Sequence, residues 1–363
     1  MFRTVVSSAT SSIIGRPLVL PLTSASLIIA KQQKCCLSSL ASSLGGLEGK
    51  HFLTIDQLSN QELRGLLDLS KKFKQIYGKD STVDPLKAPK PMTGKSLAMI
   101  FQKRSTRTRV STETGTFLLG GHALFLGPSD IQLGTNESLK DTALVLSRFN
   151  SIVMARVFGH ADVEELAQHA TVPVINALSD KHHPLQTLAD LMVLEEHFGG
   201  SLKGKTLSWV GDGNNIIHDL MVGSIKLGMN VNVATPKGYE CNADILTKAR
   251  QLAVENKVTL KETHVADESV KGADVVVTDT WVSMGQEAEY QKRIADFDGY
   301  QVTMELMNKA SKGAVFLHCL PRHPEEVTDE VIYSDKSLVF GEAENRMWTV
   351  MAVMAAQLGK TDV

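Results

Sequence analysis

Residues 104–109, Arg-Ser-Thr-Arg-Thr-Arg, alternate hydroxyls with guanidiniums. Ser105, Thr106 and Thr108 offer O–H donors, and Arg107 adds a planar fork that matches the oxygens of a phosphate or carboxylate. The segment opens a helical pattern directly after the apolar run "KSLAMIF". A helix N-terminus leaves amide N–H groups unpaired and carries partial positive charge, so this one suits an anion, with phosphate the natural guest. The plainer alternative is a capped helix with a solvated basic first turn, but basic charge there opposes the helix dipole. No G-x-x-x-x-G-K-[ST] sequence occurs, so a nucleotide P-loop is not the device.

Four other clusters carry chemistry. In "SDKHHPLQTLAD", His183 precedes Pro184 at a helix start and Gln186 lies one turn inward. An imidazole and an amide there could polarise a carbonyl and hold an NH2 group, although a histidine like His183, read alone, is more often packed or solvated. His182-His183 has no Cys or carboxylate at ligand spacing, so no metal is expected. In "WVGDGNNIIH", Gly211 and Gly213 resemble a dinucleotide turn, but Ile216 replaces the third glycine. The next strand ends in Thr235-Pro236-Lys237, without the acid that would grip a ribose, so NAD is not expected. The amides of Asn214 and Asn215 are instead expected to point into a crevice, where either could bind a carboxylate. In "VTDTWVSMGQEAE", Asp279 suits an ammonium, Ser283 could orient it, and Gly285 gives the segment freedom to close as a lid. An ordinary connecting loop fits that spacing as well. In "FLHCLPRHPEEV", Pro321 disfavours helix before it and lacks an N–H, which leaves nearby carbonyls free to accept. Cys319, read alone, is a small buried apolar residue.

These clusters need elements to hold them. Ser59 with Glu62 three residues on marks a helix start in "SNQELRGLLDLSKKFKQIYG". From residue 95 apolar runs of strand length alternate with helical patterns: "KSLAMIF", "HALFL", "SIVMARV" and "VPVINAL", each followed by a helix. The alternation restarts with "KTLSWVGD", "NVNVATP", "ADVVVTDTW", "GAVFLHCLP" and a short run "SLVF", before a terminal helix over "EAENRMWTVMAVMAAQLG". This pattern predicts an α/β protein with two doubly wound parallel-sheet units joined near residue 186. Every polar cluster falls at the carboxyl end of a predicted strand, where such sheets collect ligands.

Composition sets the outer bounds. A chain of 363 residues, 43% apolar and 21% charged, has material for two buried cores. No run of eighteen apolar residues predicts a membrane span. The first 45 residues differ: they carry ten serines, Arg3, Arg16, Lys31 and Lys34, and no acid precedes Glu48. Such a leader reads as a mitochondrial transit peptide, a secretory signal or an unaddressed tail being the alternatives. Beyond it, 34 basic residues face 40 acidic ones, a net −6 that argues against a nucleic-acid binder. Cys35 and Cys36 lie in the leader, and Cys241 and Cys319 are too far apart in sequence to support a disulfide framework or zinc cluster.

Taken together, "STRTR", "HPLQ", "DTWVSMG" and "HCLP" in this order resemble the aspartate/ornithine transcarbamylases, and the "SMG" and "HCLP" stretches resemble the ornithine branch. The resemblance runs from about residue 48 to the end, and no motif position departs from it. It implies transfer of the carbamoyl group of carbamoyl phosphate to L-ornithine, giving L-citrulline and phosphate, in the mitochondrial matrix and without a metal or organic cofactor. By resemblance, Ser105, Thr106, Arg107 and Thr108 cradle the phosphate. Arg156, His183 and Gln186 surround the carbamoyl group, and Arg346 adds a contact. Asn215, Asp279, Ser283 and Met284 bind ornithine, and Cys319-Leu320 lie between the substrates. Gln132 would reach a neighbour's site in a homotrimer. The implied organisation is a transit peptide over 1–47, a carbamoyl-phosphate domain over 48–186, an ornithine domain over 187–340, and a C-terminal helix over 341–363 packing back on the first domain. Arg104 and Arg109 are left for structural or intersubunit ion pairs.

Overall fold

The structure, a computed structural model, describes residues 42–363 except 132, 134, 135 and 284. Residues 1–41 of the leader, Gln132 and Met284 therefore lie outside the described residues, whereas Leu44 is buried in the core. Two sheets, both wholly parallel, organise the rest. In the first, β1 (Ser96–Phe101), β2 (His122–Leu126), β3 (Ile152–Arg156) and β4 (Val174–Leu178) lie in the order β2-β1-β3-β4. In the second, β5 (Thr206–Val210), β6 (Asn230–Ala234), β7 (Leu260–Thr263), β8 (Val275–Val277) and β9 (Val315–Leu317) lie in the order β7-β6-β5-β8-β9.

Each sheet reverses its winding once, between β1 and β3 and between β5 and β8. Those gaps are where connections leave to opposite sides, opening a crevice at the strands' carboxyl ends. The helices that matter here are α1 (Asn60–Tyr77), α2 (Thr106–Leu118), α3 (Leu139–Phe149), α4 (His160–His169), α5 (Pro184–His197), α6 (Asn215–Lys226) and α7 (Ala243–Asn256). Shorter helices follow: α8 (Ala266–Val270), α9 (Tyr290–Asp296), α10 (Met304–Lys309) and α11 (Asp329–Ile332), and α12 (Val339–Gln357) closes the chain. Ser59 and Glu62 form the expected capping box on α1.

Strand alternation splits the core. Leu97, Met99 and Phe101 of β1 join Leu207 and Trp209 of β5, Val275 and Val277 of β8, and Val315 and Leu317 of β9 in one large cluster. Ile100 and Val153 face a second cluster on the far side of the first sheet, and Val276 and Phe316 a third behind the second sheet. α5, buried along nearly its whole length, and α12 contribute to the large cluster. α12 lies against α1, α5 and α2, so the chain's last helix returns to the first sheet's side as expected. It comes so close to α2 that a Cβ on Gly115 would meet Met351 Cγ at 2.9 Å.

Two expectations need correction. "SLVF" is not a strand: Ser337 makes a single bridge to Phe316, and Val339 already opens α12. β7 and the short helices α8 to α11 had no apolar run to announce them; β7 is a charged edge strand, "LKET". No helix among the described residues is long and apolar enough to cross a membrane.

Candidate active site

Every candidate site residue among the described residues except Asn214 lines one cavity of about 520 Å³. It opens where the two winding reversals meet. From the first sheet come Ser105, Thr106, Arg107 and Thr108 after β1 and Arg156 at the end of β3; His183 and Gln186 stand at the start of α5, after β4. From the second come Asn215 after β5, Asp279 and Ser283 after β8, and Cys319 and Leu320 after β9. Arg346 enters from α12.

Ser105 is the N-cap of α2, its Oγ accepting from the Thr108 amide at 3.2 Å. Thr108 Oγ1 accepts from Arg346 Nη2 at 3.1 Å. Arg107 Nη2 donates to the carbonyl of Leu320, tying the first sheet's loop to the second's. That carbonyl, expected to be free to accept beside Pro321, accepts from Arg107. Leu320 itself has φ +57°, a left-handed conformation that costs a bulky residue energy and is found at functional sites.

The first-sheet groups and Arg346 form a buried cationic corner. Arg156 and Arg346 are buried, each with an Nε that has no hydrogen-bond partner. Burial lowers both, helped by the charges of Arg346 and Arg107 on Arg156 and of Arg107 on Arg346; each is brought down to about 10 and stays charged at neutral pH. His183 is buried with Nδ1 unpartnered, and its imidazole is held neutral. Burial first, and then the charges of Arg346, Arg156 and Arg107, push it well below its usual range. The His183 backbone N–H donates to Asp219 Oδ2 at 2.8 Å, which fixes the ring's place.

The second sheet supplies the acidic half. Asp279 accepts from Asn214 Nδ2 at 2.8 Å and from the Cys319 thiol at 3.0 Å. Burial, and then Asp279, raise the Cys319 thiol well above its ordinary value, so it stands as a thiol. The Asn214 expectation is corrected here: its amide caps α6 by accepting from the Ile216 N–H at 2.9 Å and holds Asp279, so it is spent inside the protein. Asn215 does line the cavity, with its Nδ2 donating to the Ser179 carbonyl at 2.6 Å.

Models of two domains match the chain. The aspartate/ornithine carbamoyltransferase carbamoyl-P binding domain matches residues 50–196, and the Asp/Orn binding domain of the same family matches 203–357. The chain belongs to the aspartate/ornithine carbamoyltransferase family. It is 52% identical over 312 residues to the mitochondrial ornithine carbamoyltransferase of Aquarana catesbeiana, covering 86% of this chain and 87% of that one. The mitochondrial enzyme of Schizosaccharomyces pombe is 50% identical, over 85% of this chain and 94% of its own. Among solved structures, the ornithine carbamoyltransferase from Pyrococcus furiosus superposes with a TM-score of 0.81 at 47% identity, covering 86% of this chain and 98% of that one. That of Coccidioides immitis, a mitochondrial ornithine carbamoyltransferase, gives 0.78 at 44%, covering 87% and 99%.

Family motifs do not exhaust this cavity. Lys103, Glu287, Tyr290 and Glu325 also line it and were not singled out in the sequence. Arg104, assigned to structural or intersubunit ion pairs, also lines the cavity, directly before Ser105. Arg109 does pair, with Glu113 at 3.0 Å, and its guanidinium covers the Phe125 ring. The "GDG" turn also has a use: a Cβ on Gly213 would fall 2.3 to 2.6 Å from the backbone of Tyr239–Cys241, so the glycine admits a protein segment. Asp279, His318 and Cys319 bring ligand-type atoms within 4.8 Å of one another. His318 spends Nδ1 on the Leu320 N–H and Nε2 on Glu326, while the thiol and Asp279 bond each other, so these donors are already engaged.

Proposed function

We infer that this chain is an ornithine carbamoyltransferase, transferring the carbamoyl group of carbamoyl phosphate to the δ-amine of L-ornithine to give L-citrulline and phosphate. The observation that carries the reading is the joining, in one cavity, of a cationic anion cradle from the first sheet with an acid–thiol pair from the second. We assign carbamoyl phosphate to the first and ornithine to the second.

The uncharged amine nitrogen attacks the carbamoyl carbon. A C–N bond forms, a tetrahedral oxyanion develops, and the C–O bond to phosphate breaks as phosphate leaves. Arg156, neutral His183 and Thr108 stabilise the oxyanion, each such donor being worth about 3–4 kcal/mol when removed. The α2 N-terminus, with Ser105, Thr106 and Arg107, holds the departing phosphate. Free amines of this type titrate near 10.4, so the nucleophile must shed a proton. Cys319, raised as a thiol and bonded to Asp279, is a poor acceptor. Asp279 positions the ammonium, which gives its first proton to solvent before attack; the second, released from the nitrogen as the tetrahedral adduct collapses, leaves with the phosphate. Positioning across the two sheets supplies much of the remainder. Asn215, Ser283 and Met284 are assigned to ornithine, and Gln186, Arg346 and Leu320 to carbamoyl phosphate.

The wider reading follows the same line. Residues 1–47 are proposed as a transit peptide to the mitochondrial matrix, in keeping with relatives named mitochondrial. Residues 48–186, 187–340 and 341–363 are proposed as the carbamoyl-phosphate domain, the ornithine domain and the returning helix. A homotrimer is proposed with Gln132 reaching a neighbour. It is supported by β2, an edge strand with Leu124 exposed, and by Phe117 of adjacent α2, which is 74% exposed. The purified protein is expected to make citrulline from ornithine and carbamoyl phosphate. Product with aspartate or putrescine, and none with ornithine, would overturn the acceptor assignment.

A further inference from the structure

Behind Gln186 lie two acids that the mechanism does not use. Asp190, four residues on along α5, and Glu342, on α12, are both buried. Gln186 Nε2 donates to Asp190 Oδ1 at 2.8 Å and to Glu342 Oε1 at 2.6 Å, which uses both of its N–H bonds. At the other end of the amide, Gln186 Oε1 accepts from Arg346 Nη1 at 2.6 Å, and Arg346 lies four residues beyond Glu342 on the same helix. Two i,i+4 pairs on packed helices thus close a square around one amide.

We propose that Asp190 and Glu342 are positioning residues that select the carbamoyl group by locking the orientation of the Gln186 amide. An inverted amide would set Oε1 against two carboxyl groups and Nε2 against a guanidinium, so a single orientation survives. Gln186 lines the cavity, and in this orientation its carbonyl oxygen spends one lone pair on Arg346, leaving the other to a ligand. That lone pair can accept an N–H and has nothing to offer a methyl group. The acids therefore discriminate carbamoyl phosphate from an acyl phosphate of the same shape without touching either. Burial raises both, Asp190 to about 7, and Asp190 raises Glu342 further, which fits a pair that holds one proton between its members. Glu342 Oε2 also accepts from the His318 N–H at 3.1 Å, so the lock is anchored to the end of β9.

This inference rests on the carbamoyl-phosphate assignment above, and its test separates the two. Carbamoyl phosphate and acetyl phosphate are each bound to the full-length protein and to the Glu342→Met variant, acetyl phosphate serving as the isosteric probe without an N–H. The wild-type protein should prefer carbamoyl phosphate, and the variant should lose about tenfold of that preference through weaker carbamoyl phosphate binding alone. Its KM for ornithine at saturating carbamoyl phosphate should stay within about twofold. Equal weakening of both ligands, or an unchanged preference, overturns the lock, since a merely structural lesion acts on both alike. A wild-type protein that binds neither ligand overturns the functional reading instead. Asp190→Ser removes the other acid at an independent position and reads the same ratio if Glu342→Met fails to fold.

Discussion

His183 lies among Arg107, Arg156 and Arg346, and their charges together with burial keep its ring neutral well below the usual histidine range. It can therefore polarise a carbonyl by donating an N–H, and it cannot act as a cation. The sign of the shift sets the pH behaviour: a depressed pKa leaves the ring unprotonated from mildly acidic to alkaline pH, so no activity change there comes from charging it. His183→Asn, which keeps an N–H donor of shorter reach, is expected to lower kcat by about 10²–10³. The acid limb of the kcat–pH profile should stay where it was; a limb that moved or vanished would make His183 the titrating group. At this scale the sequence was informative wherever a side chain stands at a strand end. Ser105 to Thr108 read as an anion cradle because hydroxyls and guanidiniums at a helix start have few other uses. Asp190 and Glu342 did not read at all. Acids inside helical patterns look like a solvated face, and only the packing of α5 on α12 turns them inward.

The elements were legible where an apolar run filled a buried strand, as in β1, β3, β5 and β8, whose residues face core on both sides. β7 escaped because an edge strand needs little apolar content, and "SLVF" misled because apolar residues at the start of a buried helix look like a short strand. The turn after β5 shows how an element imposes a residue. Gly211 and Gly213 resemble a nucleotide loop, yet Gly213 is required by the segment Tyr239–Cys241 that crosses it at backbone contact. Gly213→Ala must displace main chain on one side, and no flexible side chain can give way. The expected cost is about 1–3 kcal/mol or more, read as a lower midpoint in urea unfolding. Because Asn214 and Asn215 follow directly, the ornithine KM should rise more than that of carbamoyl phosphate. A variant with wild-type stability, or NADH binding by the wild-type protein, would return the turn to a ligand-binding role.

At the scale of the whole molecule, the two winding reversals give each sheet half of a site, and Arg107 bonding the Leu320 carbonyl joins the halves within one chain. The proposed trimer asks more: a third part, Gln132, from a neighbour. Neither composition nor periodicity specifies an interface, so that assignment came only from resemblance, and the exposed edge of β2 with Phe117 beside it is its physical support. Such an arrangement has a consequence that a self-contained site lacks. Arg107→Ala chains and Gln132→Ala chains should each be nearly inactive. When they are unfolded and refolded together in equal amounts, a site becomes whole if its own chain carries Arg107 and the neighbour carries Gln132. Random cyclic assembly makes about a quarter of the sites whole, so the mixture should regain about a quarter of wild-type activity. If each site were complete within its own chain, no mixture could combine the two intact residues, and activity would stay at the level of the parents. Adding Phe117→Glu to both chains should then abolish the recovery and reduce the particle to a single chain by light scattering, because a charge on that face opposes burial against a neighbour.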